Sequence, residues 1–176
     1  VENREVFLGL GSNLGDRLAN LSAAIDLLAS APGVCVTEVS SLYVTSPVGM
    51  TDQPDFYNAV VSIKSSLAPH DILSLCMEIE TSLGRERIIH WGPRTLDIDI
   101  LLIDRIEVQT DTLTVPHPRL MERAFVLVPL AQIAPDIVLP DGNTVEQTVK
   151  SITGQRVDLL WESDWEQKWR CSDMKP

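Results

Sequence analysis

Trp91-Gly92-Pro93-Arg94-Thr95-Leu96-Asp97-Ile98-Asp99-Ile100 is the stretch on which the reading of the whole chain turns. From Leu96 it alternates, so in a strand Leu96, Ile98 and Ile100 face one side and Asp97 and Asp99 the other. Two carboxylates at i and i+2 stand roughly 6.5–7 Å apart at Cα, by the strand rise. Like charges that close on one face repel one another and call for a cation. Mg²⁺ suits them, because this hard ion takes one or two carboxylates and fills its other positions with water and substrate phosphates. Arg94, three residues upstream, and Arg85 and Arg87 before it supply fixed positive charge for such phosphates. A lone pair of this kind is more often two solvated carboxylates. Here a rigid, aromatic, basic turn (Trp91 to Arg94) feeds the strand, and the pattern points to metal-assisted transfer of a phosphate-containing group.

Leu96–Ile103 is therefore a strand, and the elements around it can be placed in turn. Upstream, Pro69 is well placed as a first helical residue, with Asp71 in the first turn. Ile72, Leu75, Cys76, Ile79 and Leu83 line that helix's apolar face and Gly84 ends it. Phe56–Ser65 and Val34–Val44 read as strands joined by the turn-rich loop Thr45–Asp55, an antiparallel pair. Leu14, Leu18, Leu21, Ile25 and Leu28 recur at helical spacing, after a first strand Glu5–Leu10. The order β-α-β-β-α-β predicts an α+β, ferredoxin-like sheet with both helices on one face. Downstream lie C-terminal additions: the turn Leu113–Pro118, a turn and short helix over Arg119–Ile133, and a helical stretch Thr144–Ile152. Residues 1–158 are expected to form the domain and 159–176 a helical tail. Trp161, Trp165 and Trp169 fall at i, i+4 and i+8, and the expectation is that they pack back onto the domain.

With 176 residues, 44% hydrophobic and 22% charged, the chain is long enough for one domain with a core of its own. No apolar run is long enough to span a membrane, and Val1-Glu2-Asn3-Arg4-Glu5 lacks the pattern of a signal peptide. Cys35, Cys76 and Cys171 are odd in number and far apart; Cys35 and Cys76 read as small buried hydrophobes, and a reducing cytoplasm fits. A net charge of −11 argues against general nucleic-acid binding. It leaves room for a nucleotide, provided the few cations gather where its phosphates go.

Other motifs carry less. Gly9-Leu10-Gly11 lacks the third glycine of a dinucleotide fingerprint, since Leu14 stands there, and no P-loop sequence occurs. Gly11-Ser12-Asn13 reads as a tight strand-to-helix turn in which Asn13 caps the helix. His117 sits in the stiff turn Val115-Pro116-His117-Pro118-Arg119, where a ring could be held to donate to a phosphate or stand exposed.

Gly11-Ser12-Asn13-Leu14-Gly15, Asp52-Gln53-Pro54-Asp55-Phe56-Tyr57-Asn58, Gly92-Pro93-Arg94-Thr95-Leu96-Asp97-Ile98-Asp99 and Pro116-His117-Pro118-Arg119 occur together, in that order. They resemble the 6-hydroxymethyl-7,8-dihydropterin pyrophosphokinase family of folate biosynthesis, over a stretch from about Val6 to Val145. The resemblance implies that Asp97 and Asp99 are ligands of two Mg²⁺ ions, and that Arg85 and Arg94 act with them in catalysis. It implies that ATP is bound by Arg85, Arg87, Trp91, Arg94, His117 and Arg123, with Thr114 and the Ile100 backbone near adenine. Thr45, Val48, Phe56, Asn58 and Phe125 would form the pterin pocket, Phe56 and Phe125 sandwiching the ring. A flat bicyclic heterocycle does want aromatic faces and an amide at its edge. Ser46 and Thr112 depart from residues found in some members, and the loop between Gly84 and Trp91 is shorter than in some. The expected partners are thus ATP and the pterin, with no nucleic acid and no membrane. A monomer is expected, with the tryptophan-rich tail as the surface through which a dimer would form.

The activity so implied is ATP-dependent transfer of pyrophosphate to the pterin's hydroxymethyl group, with release of AMP. A metal-dependent phosphohydrolase could use the same aspartates but would need no aromatic acceptor pocket. A ferredoxin-like sensor or RNA-binding module is a further alternative. An RNA-binding version should have basic-aromatic strands, which Val36–Val44 lacks.

Overall fold

The computed structural model describes residues 3–49, 51–84, 93–161 and 165–169. The central strand, β1 (Arg4–Ser12), pairs antiparallel with β4 (Phe56–Ser65) on one side and β5 (Asp97–Ile103) on the other. β2 (Val34–Val39) and β3 (Leu42–Thr45) both pair with β4, and β8 (Val157–Trp161) adds to the outer side of β3. β5 is thus an edge strand. β6 (Val108–Gln109) and β7 (Thr114–Val115) form a separate short hairpin. No helix among the described residues is long and apolar enough to cross a membrane.

Alternation decides which face each side chain serves. Val6, Leu8 and Leu10 of β1 with Ile98 and Ile100 of β5 form one face. Helix α1 (Arg17–Ser30) covers it with Leu21, Ala24, Ile25 and Leu28, and α2 (Pro69–Ser82) with Ile72, Cys76 and Ile79. Each such leucine or isoleucine removed from water contributes about 1.5–3 kcal/mol. Both helices thus cover one face as expected, and the element order is the expected one with its second strand divided in two. The C-terminal additions take the opposite face. There α3 (Ala124–Ile133) and α4 (Val145–Ser151) bury Phe7, Val60, Leu101 and Leu102 beneath Val126, Leu127, Leu130 and Val145.

Three expectations are corrected. The stretch 34–44 is two strands, broken at Ser40 and Ser41. Serine side chains compete for backbone groups: the Ser40 hydroxyl accepts from the Val60 N–H at 2.9 Å, and the Gln132 carboxamide accepts from the Ser41 N–H at 2.8 Å. Asn13 does not cap α1. Asp16 does, accepting from the Ala19 N–H at 3.0 Å, so Asn13 is available for another task. Nor is the tail a helix from residue 159. Val157–Trp161 is strand, because the open edge of β3 offers it a backbone partner, and the expected boundary at 158 falls inside that strand. Farther on, Trp165 precedes and Trp169 ends a short 3₁₀ segment (Glu166–Trp169), and both pack against the α1 face. Their indole N–H groups donate to the Ser40 carbonyl at 3.0 Å and to Asp26 Oδ1 at 2.5 Å.

Candidate active site

The register of β1 builds the site. Gly11 lies opposite Asp97 on one side and Asn58 on the other, while Gly9 lies opposite Asp99 and Val60. Side chains at paired positions share a face, so Asp97, Asp99 and Asn58 rise on the α3 side of the sheet with two glycines between them. The missing side chains have a purpose. A Cβ on Gly11 would come within 2.9 Å of Asn58 Oδ1, and one on Gly9 within 3.3 Å of Leu101. Glycine spacing that fits no dinucleotide loop instead clears the floor of a cleft.

Two clefts meet at the aspartates. The first, about 90 Å³, runs over this floor between Thr45, Val48, Phe56 and Asn58 on one side and Phe125 on the other. Asn58 is buried at its base, its Nδ2 donating to Thr45 Oγ1 at 2.6 Å. The second cleft, about 310 Å³, lies beyond β5, between α2 and the segment 110–118. Ile100, Thr114 and His117 line it. Asp97 and Asp99 line both, with 24% and 33% of their side chains exposed.

Each aspartate faces a guanidinium. Arg94 Nη1 donates to Asp97 Oδ2 at 2.6 Å, and Arg123 Nη1 to Asp99 Oδ2 at 3.2 Å. Both arginines border the first cleft, although the resemblance would give both to ATP. His117 Nε2 lies 3.9 Å from Asp99 Oδ2. Its Nδ1 accepts from the Arg119 N–H at 3.1 Å, which leaves the ring hydrogen on Nε2. Burial first, and then the Arg123 guanidinium, pulls its pKa down to about 4. The imidazole is therefore a neutral donor near neutral pH. Arg85, Arg87 and Trp91 lie outside the described residues.

Several positioning groups escaped the reading of the sequence. Asn13 is one: its backbone N–H donates to the Arg94 carbonyl at 3.1 Å, its side-chain Oδ1 accepts from the Arg94 N–H at 2.9 Å, and its Nδ2 donates to Gln53 Oε1 and the Pro54 carbonyl at 3.0 Å. One side chain thereby ties the turn before Asp97 to the loop over the first cleft. Arg17 adds a tie to that loop, donating to the Asp55 carbonyl at 2.9 Å. Glu80 of α2 is another. It is 4% exposed and accepts at 2.7 Å from the N–H of Ile98, the residue between the two aspartates. An edge strand leaves such N–H groups without a ladder partner, and Glu80 answers this one. The signal was present, since Glu80 continues the i, i+4, i+8 row of Ile72 and Cys76, where an acid is out of place.

Residues 7–135 match the family described as 7,8-dihydro-6-hydroxymethylpterin-pyrophosphokinase. A Methylorubrum extorquens protein, 2-amino-4-hydroxy-6-hydroxymethyldihydropteridine pyrophosphokinase, is 48% identical over 154 residues, covering 88% of this chain and 97% of its own. The Bacillus subtilis protein of the same name is 45% identical over 166 residues, covering 94% and 93%. Among solved structures, an HPPK-DHPS in complex with substrates superposes with a TM-score of 0.70 at 13% identity. That match covers 86% of this chain and 43% of the larger one, and it speaks for the fold alone. On the family match and these two relatives, the chain belongs to the 7,8-dihydro-6-hydroxymethylpterin-pyrophosphokinase family.

Proposed function

We propose that this chain transfers pyrophosphate from ATP to the hydroxymethyl group of 6-hydroxymethyl-7,8-dihydropterin, releasing AMP, with the pterin in the first cleft and the nucleotide in the second. The observation that carries this assignment is the position of Asp97 and Asp99, which among the described residues are the two that line both clefts. A group moving from one substrate to the other would pass between them.

The cleft chemistries support the allocation. Phe56 and Phe125 offer aromatic faces to a flat ring, and the buried Thr45–Asn58 pair offers polar groups to its edge. Thr114 and the Ile100 backbone would lie along adenosine. The donor set fits Mg²⁺. It consists of two carboxylates on one strand, and no group of three metal-capable side chains forms among the described residues. Such a sparse set suits an ion that keeps water and phosphate oxygens. Asp97 and Asp99 would hold two such ions, which when bound supply positive charge for the phosphates and acidify the acceptor alcohol.

The protein's own groups do the rest. Arg94 and Arg123 neutralise the aspartates in the free protein, and each would turn its guanidinium toward the triphosphate as cations arrive. His117, neutral and with its hydrogen on Nε2, would donate to a phosphate oxygen without giving up a proton. Arg85, Arg87 and Trp91 are proposed to complete the phosphate and nucleotide contacts. The acceptor oxygen attacks the β-phosphorus, and the α–β bridging oxygen leaves with AMP. Substrates filling both clefts would displace water, the competing nucleophile, from the aspartates. Trp165 and Trp169 turn inward, which supports a monomer. Incubation with ATP, Mg²⁺ and the pterin should give AMP and pterin diphosphate one-for-one. ADP, or AMP formed equally fast without pterin, would rule the reading out.

A further inference from the structure

α3 begins in an unusual way. Its N-cap, Arg123, makes no side-chain capping bond, because a guanidinium has no acceptor to offer the first N–H groups of a helix. Serine, threonine, aspartate or asparagine normally stands at such a position. Here the guanidinium is committed to Asp99 instead. The missing cap comes from 31 residues downstream. Gln155 Oε1 accepts from the Ala124 N–H at 3.0 Å, and Gln155 Nε2 donates to the Glu122 carbonyl at 2.8 Å. One carboxamide thus pairs with the backbone on both sides of Arg123, as a neighbouring strand would. The next residue holds the facing wall: Arg156 Nη1 lies 3.0 Å from Asp55 Oδ2, at the end of the 45–55 loop. Behind both, Val157 pairs with Thr45, so β8 anchors the segment at the cleft's base.

We propose that Gln155–Arg156, which lies outside the family-matched residues 7–135, is a strap that sets the width of the first cleft, with Gln155 the positioning residue for the helix turn that carries Phe125. Gln155 is exposed and touches neither aspartate nor aromatic ring in the hydrogen bonds it makes. It acts through the backbone. Without it the first turn of α3 can fray, and the wall carrying Phe125 moves away from Phe56. The exposed Arg156–Asp55 pair contributes less, as ion pairs in water do. This inference rests on the first cleft being the acceptor site.

Gln155→Ala and Gln155→Met test it, the second keeping the length of the side chain without its hydrogen bonds. Steady-state kinetics would be measured against each substrate, beside wild type and with melting temperatures. The strap predicts a pterin KM raised about tenfold in both variants, the cost of a wall no longer pre-organised, with the ATP KM moved by less than half that factor. A rise in pterin KM under about threefold, or an equal rise in both constants with a matching loss of melting temperature, would overturn it. The two failures are separable. If wild type forms no pterin-dependent AMP, the acceptor assignment is wrong; if wild type does and the variants match it, only the strap is.

Discussion

The first cleft stands on three paired strands, whereas the second is bordered by side chains of a helix and of the 110–118 segment at the edge of the sheet. In the first, Asn58, Gly11 and Asp97 stand side by side across β4, β1 and β5, so their spacing is fixed by the ladder itself. In the second, Thr114 and His117 reach Asp99's neighbourhood from β7 and the turn after it, where the His117 N–H donates to the Leu101 carbonyl at 2.9 Å. The difference suits the two substrates. A rigid pterin gains from a pre-formed slot, while a flexible triphosphate brings charges that can gather their own partners. Substitutions should therefore hurt most where both clefts meet, next on the sheet floor, and least in the open cleft.

Asp97→Ala and Asp99→Ala strike the shared point. Turnover should fall at least about a hundredfold, the usual scale for losing a group that organises transition-state charge. Both side chains are partly exposed, so the melting temperature should shift by less than about 4 °C, roughly 1 kcal/mol. A variant that unfolds, or that turns over normally with Mg²⁺, would break the account of the shared carboxylates.

Gly11→Ala tests the floor alone. The new methyl would meet Asn58 Oδ1 at 2.9 Å, and Asn58 is held from behind by Thr45. The pterin KM should rise about tenfold while the ATP KM stays within about threefold, a split of roughly 1 kcal/mol between the clefts. Equal effects on both substrates would mean that the clefts are not separate. Thr114→Ala should do the reverse and less, raising the ATP KM about two- to fivefold, since water can replace a hydroxyl in an open cleft. Isothermal titration with a non-hydrolysable ATP analogue checks the sign.

Much of this was legible in the sequence, and the limits were physical. Alternation at Leu96–Ile100 and helical spacing at Ile72–Ile79 depend only on local periodicity, and both held. The five residues expected around the pterin line one cleft. What could not be read depended on long-range pairing. Ser40 and Ser41 break a strand because Gln132 lies 91 residues away to receive it. Asn13 is a tether rather than a cap for the same reason, and β8 exists only because β3 leaves an edge. Arg94 and Arg123 are basic in any reading, but only the fold aims them at Asp97 and Asp99.

Cys76 gives the mildest contrast. It lines the second cleft, yet burial, aided by Glu80 and Asp99, pushes its thiol up to about 12. A protonated thiol is a poor nucleophile. Iodoacetamide at pH 8 should leave Cys76 unlabelled in the native protein and label it on unfolding, as peptide mass mapping would show. Rapid native labelling would mean that the second cleft opens further than its packing indicates.

The division of substrates between the clefts is tested most directly by a crystal structure with the pterin, Mg²⁺ and an ATP analogue carrying carbon at the α–β bridge. That substitution blocks the bond expected to break and leaves the complex intact. The account predicts the pterin between Phe56 and Phe125, adenosine beside Thr114, and the cations on Asp97 and Asp99. A pterin bound in the second cleft, or cations seated away from those two carboxylates, would contradict it.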